Sequence, residues 1–268
     1  MKTFFEIGNL ALEEAGMLTI EIGESQISVS SIDDTAKKLK GLKIFTFAPL
    51  AIEETLLRLV ENLNASNQTF TRVIISPAFP QALLIPKKLF SPDHTILQNT
   101  YQLNDSVCFT DHIGEWQLVN AYAMPSSLHQ ILDKVFPLAT YMHAYSPLLK
   151  IFNGFSSEQQ VAVSFIHSEF RVVVKKDQNV QLVQTYSYET PMDVVYLILK
   201  ICLEFNLAQE DTQIIISGFV EQNSALYKEL YNYFLNLHFS NISFLSLPEG
   251  EHPKHYLTSI NNLAACVL

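Results

Sequence analysis

The sequence predicts two α/β domains in tandem, each a sheet with helices packed against it. Three observations carry this. The segment T-R-V-I-I-S at Thr71 to Ser76 returns as T-Q-I-I-I-S at Thr212 to Ser217. Leu18 to Val29 (L-T-I-E-I-G-E-S-Q-I-S-V) aligns without a gap on Val161 to Val172 (V-A-V-S-F-I-H-S-E-F-R-V). The length of 268 residues also exceeds the usual size of a single hydrophobic core. A long unit present twice describes domains and not a solenoid, whose repeats are shorter and number at least three.

Residues 1 to 16 read as a lead-in whose Phe4, Phe5 and Ile7 can dock at a core edge. In the aligned segments, Leu18, Ile20 and Ile22 fall on Val161, Val163 and Phe165. Beyond a short polar tip, Ile27 and Val29 fall on Phe170 and Val172. Alternation of period two on both sides of a tip predicts a hairpin of half-buried strands in each copy. Third strands follow at Leu42 to Phe47 and Gln181 to Tyr188, then helices at Ile52 to Leu63 and Met192 to Phe205, then the twin strands. The first helix has an apolar face of Ile52, Leu56, Leu59, Val60 and Leu63, with Glu53, Glu54, Arg58 and Glu61 opposite. The second, led by Pro191, is apolar nearly all round and is expected to be buried against its own sheet and the other domain.

After Ser76 the copies diverge. Pro77, Pro80 and Pro86 punctuate residues 77 to 115, which read as an insertion. Trp116 to Ala123 resumes strand-like alternation, Met124-Pro125-Ser126 opens a helix through about Val135 with Ser126 as N-cap, and Thr140 to Ala144 reads as a strand. A short helix at Pro147 to Phe152 precedes Asn153-Gly154 and Ser156-Ser157, the expected boundary between domains 1–153 and 154–268. In the second copy Ser217-Gly218 ends the twin strand. Asn223 or Ser224 opens an amphipathic helix with Leu226, Leu230, Tyr233, Phe234 and Leu237 inward, Ile242 to Leu247 forms the last strand, and 254 to 263 a closing helix. The order β-β-β-α-β-α-β-α is that of the ribonuclease-H-like unit. Two in tandem make the actin-like ATPase architecture, with mixed five-stranded sheets expected.

Composition narrows the function classes. Lys and Arg total 17 against 27 Asp and Glu, a net charge of −10, and no basic cluster exceeds two adjacent residues. Such a surface lacks the concentrated positive charge that nucleic acids and anionic membranes require. Charged residues are 16%, below the usual share of about 25%, which favours a protein partner or a homodimer. Glu6 interrupts the opening apolar residues, and no stretch approaches the roughly 18 apolar residues of a membrane span, so a cytoplasmic location without membrane insertion is expected. Cys108, Cys202 and Cys266 lie far apart without C-x-x-C spacing and read as reduced thiols.

Several pieces carry a resemblance. V-N-A-Y-A-M-P-S-S-L-H-Q-I-L at Val119 to Leu132, with S-P-L-L at Ser146 to Leu149, is similar to the segments closing the first domain in cytoplasmic platform proteins of pilus-assembly and type II secretion machinery, a degenerate branch of the actin-like fold. More closely, L-L-I-P-K-K-L-F at Leu83 to Phe90, P-K-H-Y at Pro253 to Tyr256 and the stretch N-N-L-A-A-C-V-L resemble an uncharacterised bacterial domain-of-unknown-function family with this fold. The family supplies no activity.

The actin-like resemblance does say where a nucleotide would sit. ATPases of this fold hold phosphates at two hairpin tips of acidic-x-Gly form, where glycine lets backbone N–H groups approach closely, and an aspartate near each tip holds magnesium through water. The first tip retains Glu21, Gly23 and Ser25, but Glu24 adds negative charge. The second carries Ser168 and has neither glycine nor aspartate. Of the Gly-Gly turn on which adenosine rests, only Gly218 remains, before bulky Phe219. Chain-wide, 8 glycines in 268 residues is under half the usual share of about 7%. These five residues are the candidate remnant of a nucleotide cleft, with no cofactor expected and ATP with magnesium as the alternative. A ribonuclease-H-type metal site needs three carboxylates. Glu21 with Glu53 or Glu54 supplies two, the third falls on Ser76, and the second copy offers Ser164, Asp193 and Ser217. His252 and His255 lack a third metal ligand and read as a solvated turn. Asp111-His112 lacks a nucleophile motif. The sequence therefore predicts a catalytically silent actin-like protein that acts by binding another protein.

Overall fold

The computed structural model describes residues 2–10, 16–65, 69–152, 159–241, 244–247 and 252–268. The chain forms two compact units: Met1–Lys150, Phe244–Gly250 and Ala264–Leu268 make the first, Ile151–Ser243 and Glu251–Leu263 the second. The expected boundary at Asn153-Gly154 lies outside the described residues.

In the first unit the elements are β1 (Lys2–Gly8), β2 (Gly16–Ile22), β3 (Gln26–Asp33), β4 (Lys38–Thr46), α1 (Ile52–Ala65), β5 (Phe70–Pro77), β6 (Ala82–Pro86), α2 (Thr95–Tyr101), β7 (Ser106–Ile113), β8 (Leu118–Pro125), α3 (Ser126–Val135), β9 (Thr140–Tyr141) and α4 (Tyr145–Phe152), the last continuing across the division. The main sheet runs β1-β4-β3-β2-β5-β9. Its alternating residues Leu18, Ile20, Ile22, Ile27 and Val29 pack with Leu56, Leu59 and Val60 of α1 and Leu128 and Leu132 of α3, all buried. The lead-in is itself a strand, giving this sheet six strands where five are expected. It pairs antiparallel with β4 at the edge, and only Ile7 is buried; a bulge between Thr3 and Phe5 leaves Phe4 exposed. Strand β9 is short because the chain turns at His143 into α4. Ser126 is the first helical residue and not the cap; Pro125 holds the N-cap position, with no side-chain hydrogen bond.

Strands β6 and β7, from the expected insertion, pair with β8 just beyond it in a second, three-stranded antiparallel sheet, β6-β8-β7. Strand β8 is buried on both faces. Ala121 and Ala123 join Ile85 and Leu97 in a satellite core, while Met124 enters the main core. Successive side chains point to opposite faces of a strand, so one strand serves two cores.

The second unit holds β10 (Gln159–Phe165), β11 (Glu169–Lys176), β12 (Asn179–Ser187), α5 (Pro191–Glu204), β13 (Gln213–Gly218), α6 (Ala225–Tyr233), β14 (Leu237–Phe239) and the start of α7 (Thr258–Val267). Its sheet order, β12-β11-β10-β13-β14, matches β4-β3-β2-β5-β9. The registers match as well: Leu18 faces Val73 and Ile20 faces Ile75, as Val161 faces Ile214 and Val163 faces Ile216. The last strand comes earlier than expected. Helix α6 ends at Tyr233, buried Phe234 anchors the exit, and Leu237 pairs at once with Ile214. Of the stretch expected to be that strand, Ser246 bridges to Lys38 of the first unit, and residues 242–243 lie outside the described residues.

Helix α5 corrects a second expectation. It buries Val194, Val195, Ile198, Ile201 and Cys202, but Met192, Tyr196 and Leu203 are exposed. Its start is fixed by a capping box: Thr190 Oγ1 accepts from Asp193 N at 3.3 Å, and Asp193 Oδ2 accepts from Thr190 N at 2.8 Å. Thr190→Ala is expected to cost about 1 kcal/mol, the usual worth of such a cap; a urea midpoint equal to wild type would show that the box contributes nothing.

Candidate functional site

The structure brings Glu21, Gly23 and Ser25 to one end of the first sheet, and Ser168 and Gly218 to one end of the second. The two tips close alike. Gly23 N donates to Gln26 O at 2.9 Å and Phe47 N to Ser25 O at 3.0 Å; Ile166 N donates to Glu169 O at 2.9 Å and Tyr188 N to Ser168 O at 3.1 Å. The Gly23 N–H is therefore spent inside its own hairpin. A Cβ at Gly23 would meet only Gln26 O at 3.8 Å and Ala78 Cβ at 3.9 Å, ordinary contacts, and Ile166 occupies the equivalent place in the second unit. Nothing in this conformation requires glycine there. Half-buried Glu21 lies between Ser28 and Ser76, as Ser164 lies between Arg171 and Ser217.

Gly218 differs. Its φ is +79°, and a Cβ would lie 1.9 Å from Phe165 O, so the backbone passes too closely for any side chain. The turn that follows is filled by the chain's own residues. His255 Nε2 donates to Val220 O at 2.7 Å, and Tyr256 Oη donates to Glu221 Oε1 at 2.9 Å. The His255 ring stacks on Phe239 at 4.2 Å between centroids, and Phe219 meets Tyr256 at 5.2 Å. Burial lowers the pKa of His255. Far from being a solvated turn, Lys254–Leu257 is a 3-10 turn packed over the end of β13.

A cavity of about 600 Å³ lies within the first unit. The β2–β3 tip contributes Glu24, the start of α1 contributes Ile52 and Glu53, and the start of α3 contributes Ser127 and Leu128. The small sheet and its connections add Gln81, Tyr101–Asn104, Ser106 and Ala123–Pro125. Ser127 Oγ donates to Glu53 Oε1 at 2.5 Å. The wall is mixed, with Ile52, Phe79, Leu103, Met124 and Leu128 interspersed among amides and hydroxyls. It carries two carboxylates and no lysine, arginine or histidine. A cavity that mixes apolar and hydrogen-bonding groups suits an extended peptide or a small neutral or cationic ligand; phosphates would meet carboxylates.

Beside the core lies a buried polar network that the sequence does not reveal. Asp111 Oδ2 accepts from Ser146 Oγ at 2.6 Å and from His143 N at 2.8 Å, and Tyr122 Oη donates to Oδ1 at 3.3 Å. Asn120 Nδ2 donates to Ser146 Oγ at 3.1 Å. His143 Nδ1 accepts from Tyr145 N at 3.2 Å, so Nε2 carries the proton and donates to Phe79 O at 3.0 Å. His143, Ser146 and Asn120 are fully buried. Burial raises the Asp111 pKa against the pull of Ser146, His143 and Tyr122. The residue types of a hydrolase are present, but the connections are not. The carboxylate holds the serine and both imidazole nitrogens face backbone groups, so serine, imidazole and carboxylate do not form a nucleophile–base relay. The neighbouring His112 is exposed on the other face of β7, edge-on to Phe90.

Among the described residues no group of three or more His, Cys, Asp or Glu is arranged to hold a metal ion, and no helix is long and apolar enough to cross a membrane. Burial pushes the Cys202 thiol up to about 11, which leaves it protonated and unreactive at neutral pH.

The fold is shared with solved structures. A protein of Bacteroides thetaiotaomicron described as having an actin-like ATPase fold and unknown function superimposes with a TM-score of 0.78 at 15% identity, over 93% of this chain and 95% of that one. The PilM-PilN type IV pilus biogenesis complex gives 0.60 at 12% identity, over 93% and 98%. The ethanolamine utilization protein EutJ of Carboxydothermus hydrogenoformans gives 0.51 at 9%, over 96% and 92%. These likenesses establish an actin-like ATPase fold built of mixed sheets with flanking helices. No curated protein sequence matches the chain. Residues 9–237 match a family described as proteins of unknown function, DUF3822, and the chain belongs to that family.

Proposed function

We propose that this protein is a catalytically silent actin-like module that binds another protein in the cytoplasm, seating a segment of it in the cavity of the first unit. One observation carries the reading: the cavity beside the β2–β3 tip mixes apolar and hydrogen-bonding side chains, is flanked by Glu24 and Glu53, and offers no cation. Phosphate sites depend on free backbone N–H groups and positive charge, whereas at this tip the Gly23 N–H is already bonded. The erosion of glycine and aspartate at the second tip supports the same reading. So does the fact that a protein of similar fold, PilM, was solved in complex with another protein, PilN. The matched registers of the two sheets support an internal duplication as the origin of the architecture.

Two measurements test it together. In a thermal-shift titration, millimolar ATP or ADP with magnesium is expected to leave the melting temperature unchanged. A ligand at about 100 times its dissociation constant adds roughly 2.7 kcal/mol, several degrees for a protein of this size. A shift that Gly23→Val abolishes would overturn the reading in favour of a nucleotide switch. In a pull-down from native lysate, wild type is expected to retain a protein that Glu24→Lys loses. Reversing the charge of exposed Glu24 weakens the proposed peptide site but would favour a phosphate, so the two readings predict opposite effects of one substitution.

A further inference from the structure

Helix α5 carries an apolar seam of which the second unit's own core uses only Leu199. Met192, Tyr196, Leu199 and Leu203 recur at the i, i+4, i+7, i+11 spacing of paired helices. Met192 is 47%, Tyr196 62% and Leu203 79% exposed, and Leu199 is half-buried. The opposite side of the helix is already packed, with Val194, Ile198 and Ile201 in the core of the unit. An apolar line on a helix that is anchored by a capping box at one end and buried along its back is a rigid surface, ready for a partner without an ordering cost.

The charges beside the seam indicate which partner fits. Asp193 follows Met192 and Lys200 follows Leu199, one heptad apart on the same flank. On the other flank, Val195 and Cys202 are buried in the unit's own core. In a parallel pair a flanking charge needs a partner on the opposite flank of the other helix, and here that flank has none to offer. In an antiparallel pair, same-flank residues meet instead. Setting Tyr196 against the partner's Leu199, and Met192 against the partner's Leu203, brings Asp193 close to the partner's Lys200, twice by symmetry. The seam is complementary to itself under a two-fold axis, as an isologous interface must be.

We propose that α5 is a homodimerisation surface on which a second copy of this chain docks antiparallel through Met192, Tyr196, Leu199 and Leu203. Four seam residues per copy fall short of the roughly 800 Å² per partner of a standard interface, so the dimer is weak and concentration-dependent, with a dissociation constant on the order of micromolar. This surface lies wholly in the second unit and does not depend on the cavity of the first.

Sedimentation velocity of the full chain tests it. Between about 1 and about 300 μM, the weight-average mass is expected to rise from the 30.4 kDa monomer towards twice that value. Leu203→Glu and Tyr196→Glu, both at exposed positions, are expected to hold the mass at the monomer value while the circular dichroism melt stays at the wild-type temperature. Lys200→Glu sets like charges against Asp193 at two symmetric places and is expected to weaken the dimer about tenfold at low salt, with less effect as salt rises. A chain that stays monomeric throughout overturns the proposal, as does a dimer that Leu203→Glu and Tyr196→Glu leave intact. A Lys200→Glu variant that dimerises as wild type does overturns the antiparallel arrangement.

Discussion

Gly218→Ala is expected to destabilise the protein by about 3 kcal/mol or more, whereas Gly23→Ala is expected to stay within about 0.5 kcal/mol of wild type. At Gly218 two costs add. A left-handed φ of +79° is strained for an alanine by roughly 1 kcal/mol. In addition, the new Cβ would meet Phe165 O at 1.9 Å, Phe165 C at 2.7 Å and Phe165 N at 2.8 Å. These are backbone atoms of the central strand β10, paired to β11 and β13 on either side, so they cannot swing away as a side chain would. Relief must come from pulling the β13 turn outward, which loosens Val220 and Glu221 from His255 and Tyr256. Urea unfolding followed by far-UV circular dichroism measures the loss. Trp116, the single tryptophan, lies in the first unit and reports that unit separately by fluorescence. A Gly218→Ala protein as stable as wild type would show that the close approach to Phe165 does not exist.

Asp111→Ala is expected to cost about 3 to 5 kcal/mol, because it strands the Ser146 hydroxyl, the His143 N–H and the Tyr122 hydroxyl in the interior without an acceptor. Asp111→Asn keeps the shape and an oxygen for Ser146 and His143, and turns an amine towards Tyr122 Oη, which can accept. It is expected within about 1 kcal/mol of wild type at neutral pH. The pH dependence separates the two variants further. The folded pKa of Asp111 is raised above 3.8 by burial, so its contribution to stability is fully present below the unfolded value. It is lost as pH rises through the folded value. Asp111→Asn has no such group, and its stability relative to wild type should therefore improve as pH rises from about 4 through the acid range and level off once Asp111 is ionised. Paired denaturation curves at several pH values read this directly. A relative stability that falls with pH would reverse the sign and remove burial as the dominant influence on that carboxyl.

The parts of the fold that the sequence reveals are those written in short-range periodicity. Leu18, Ile20 and Ile22, with their counterparts Val161, Val163 and Phe165, mark strands because alternation is a local property, and α1 announces itself through its charged back. The edge strand β1 escapes because Phe4 and Phe5 blur the alternation at a bulge, and β14 escapes because three residues are too few to show a period. Helix α5 misleads for a different reason. An all-apolar circumference reads as burial on every side, although Met192, Tyr196 and Leu203 face solvent. Of the candidate site, the tip residues are visible as a motif, and the structure shows the Gly23 N–H bonded to Gln26 O within its own hairpin. The cavity is not visible, since its wall is assembled from five separate stretches between Glu24 and Leu128. The Asp111 network is equally hidden, its only trace being one aspartate inside the apolar strand V-C-F-T-D-H-I.

The first unit is discontinuous in sequence, and this bears on how the protein comes to be made. Residues Phe244–Gly250 and Ala264–Leu268 belong to it. Ser246 exchanges backbone hydrogen bonds with Lys37 and Leu39 at 2.9 Å, and Arg72 donates to the carbonyl of Val267. A nascent chain that has emerged from the ribosome as far as α4 already has the main sheet, but the turn after β3 and the start of β5 still await partners 209 and 195 residues downstream. The second unit needs Glu251–Leu263 in its turn, so both units are completed only by the last residues made, and not one after the other in the usual N-to-C order of domain maturation. Until synthesis reaches these residues, both units lack segments that complete them.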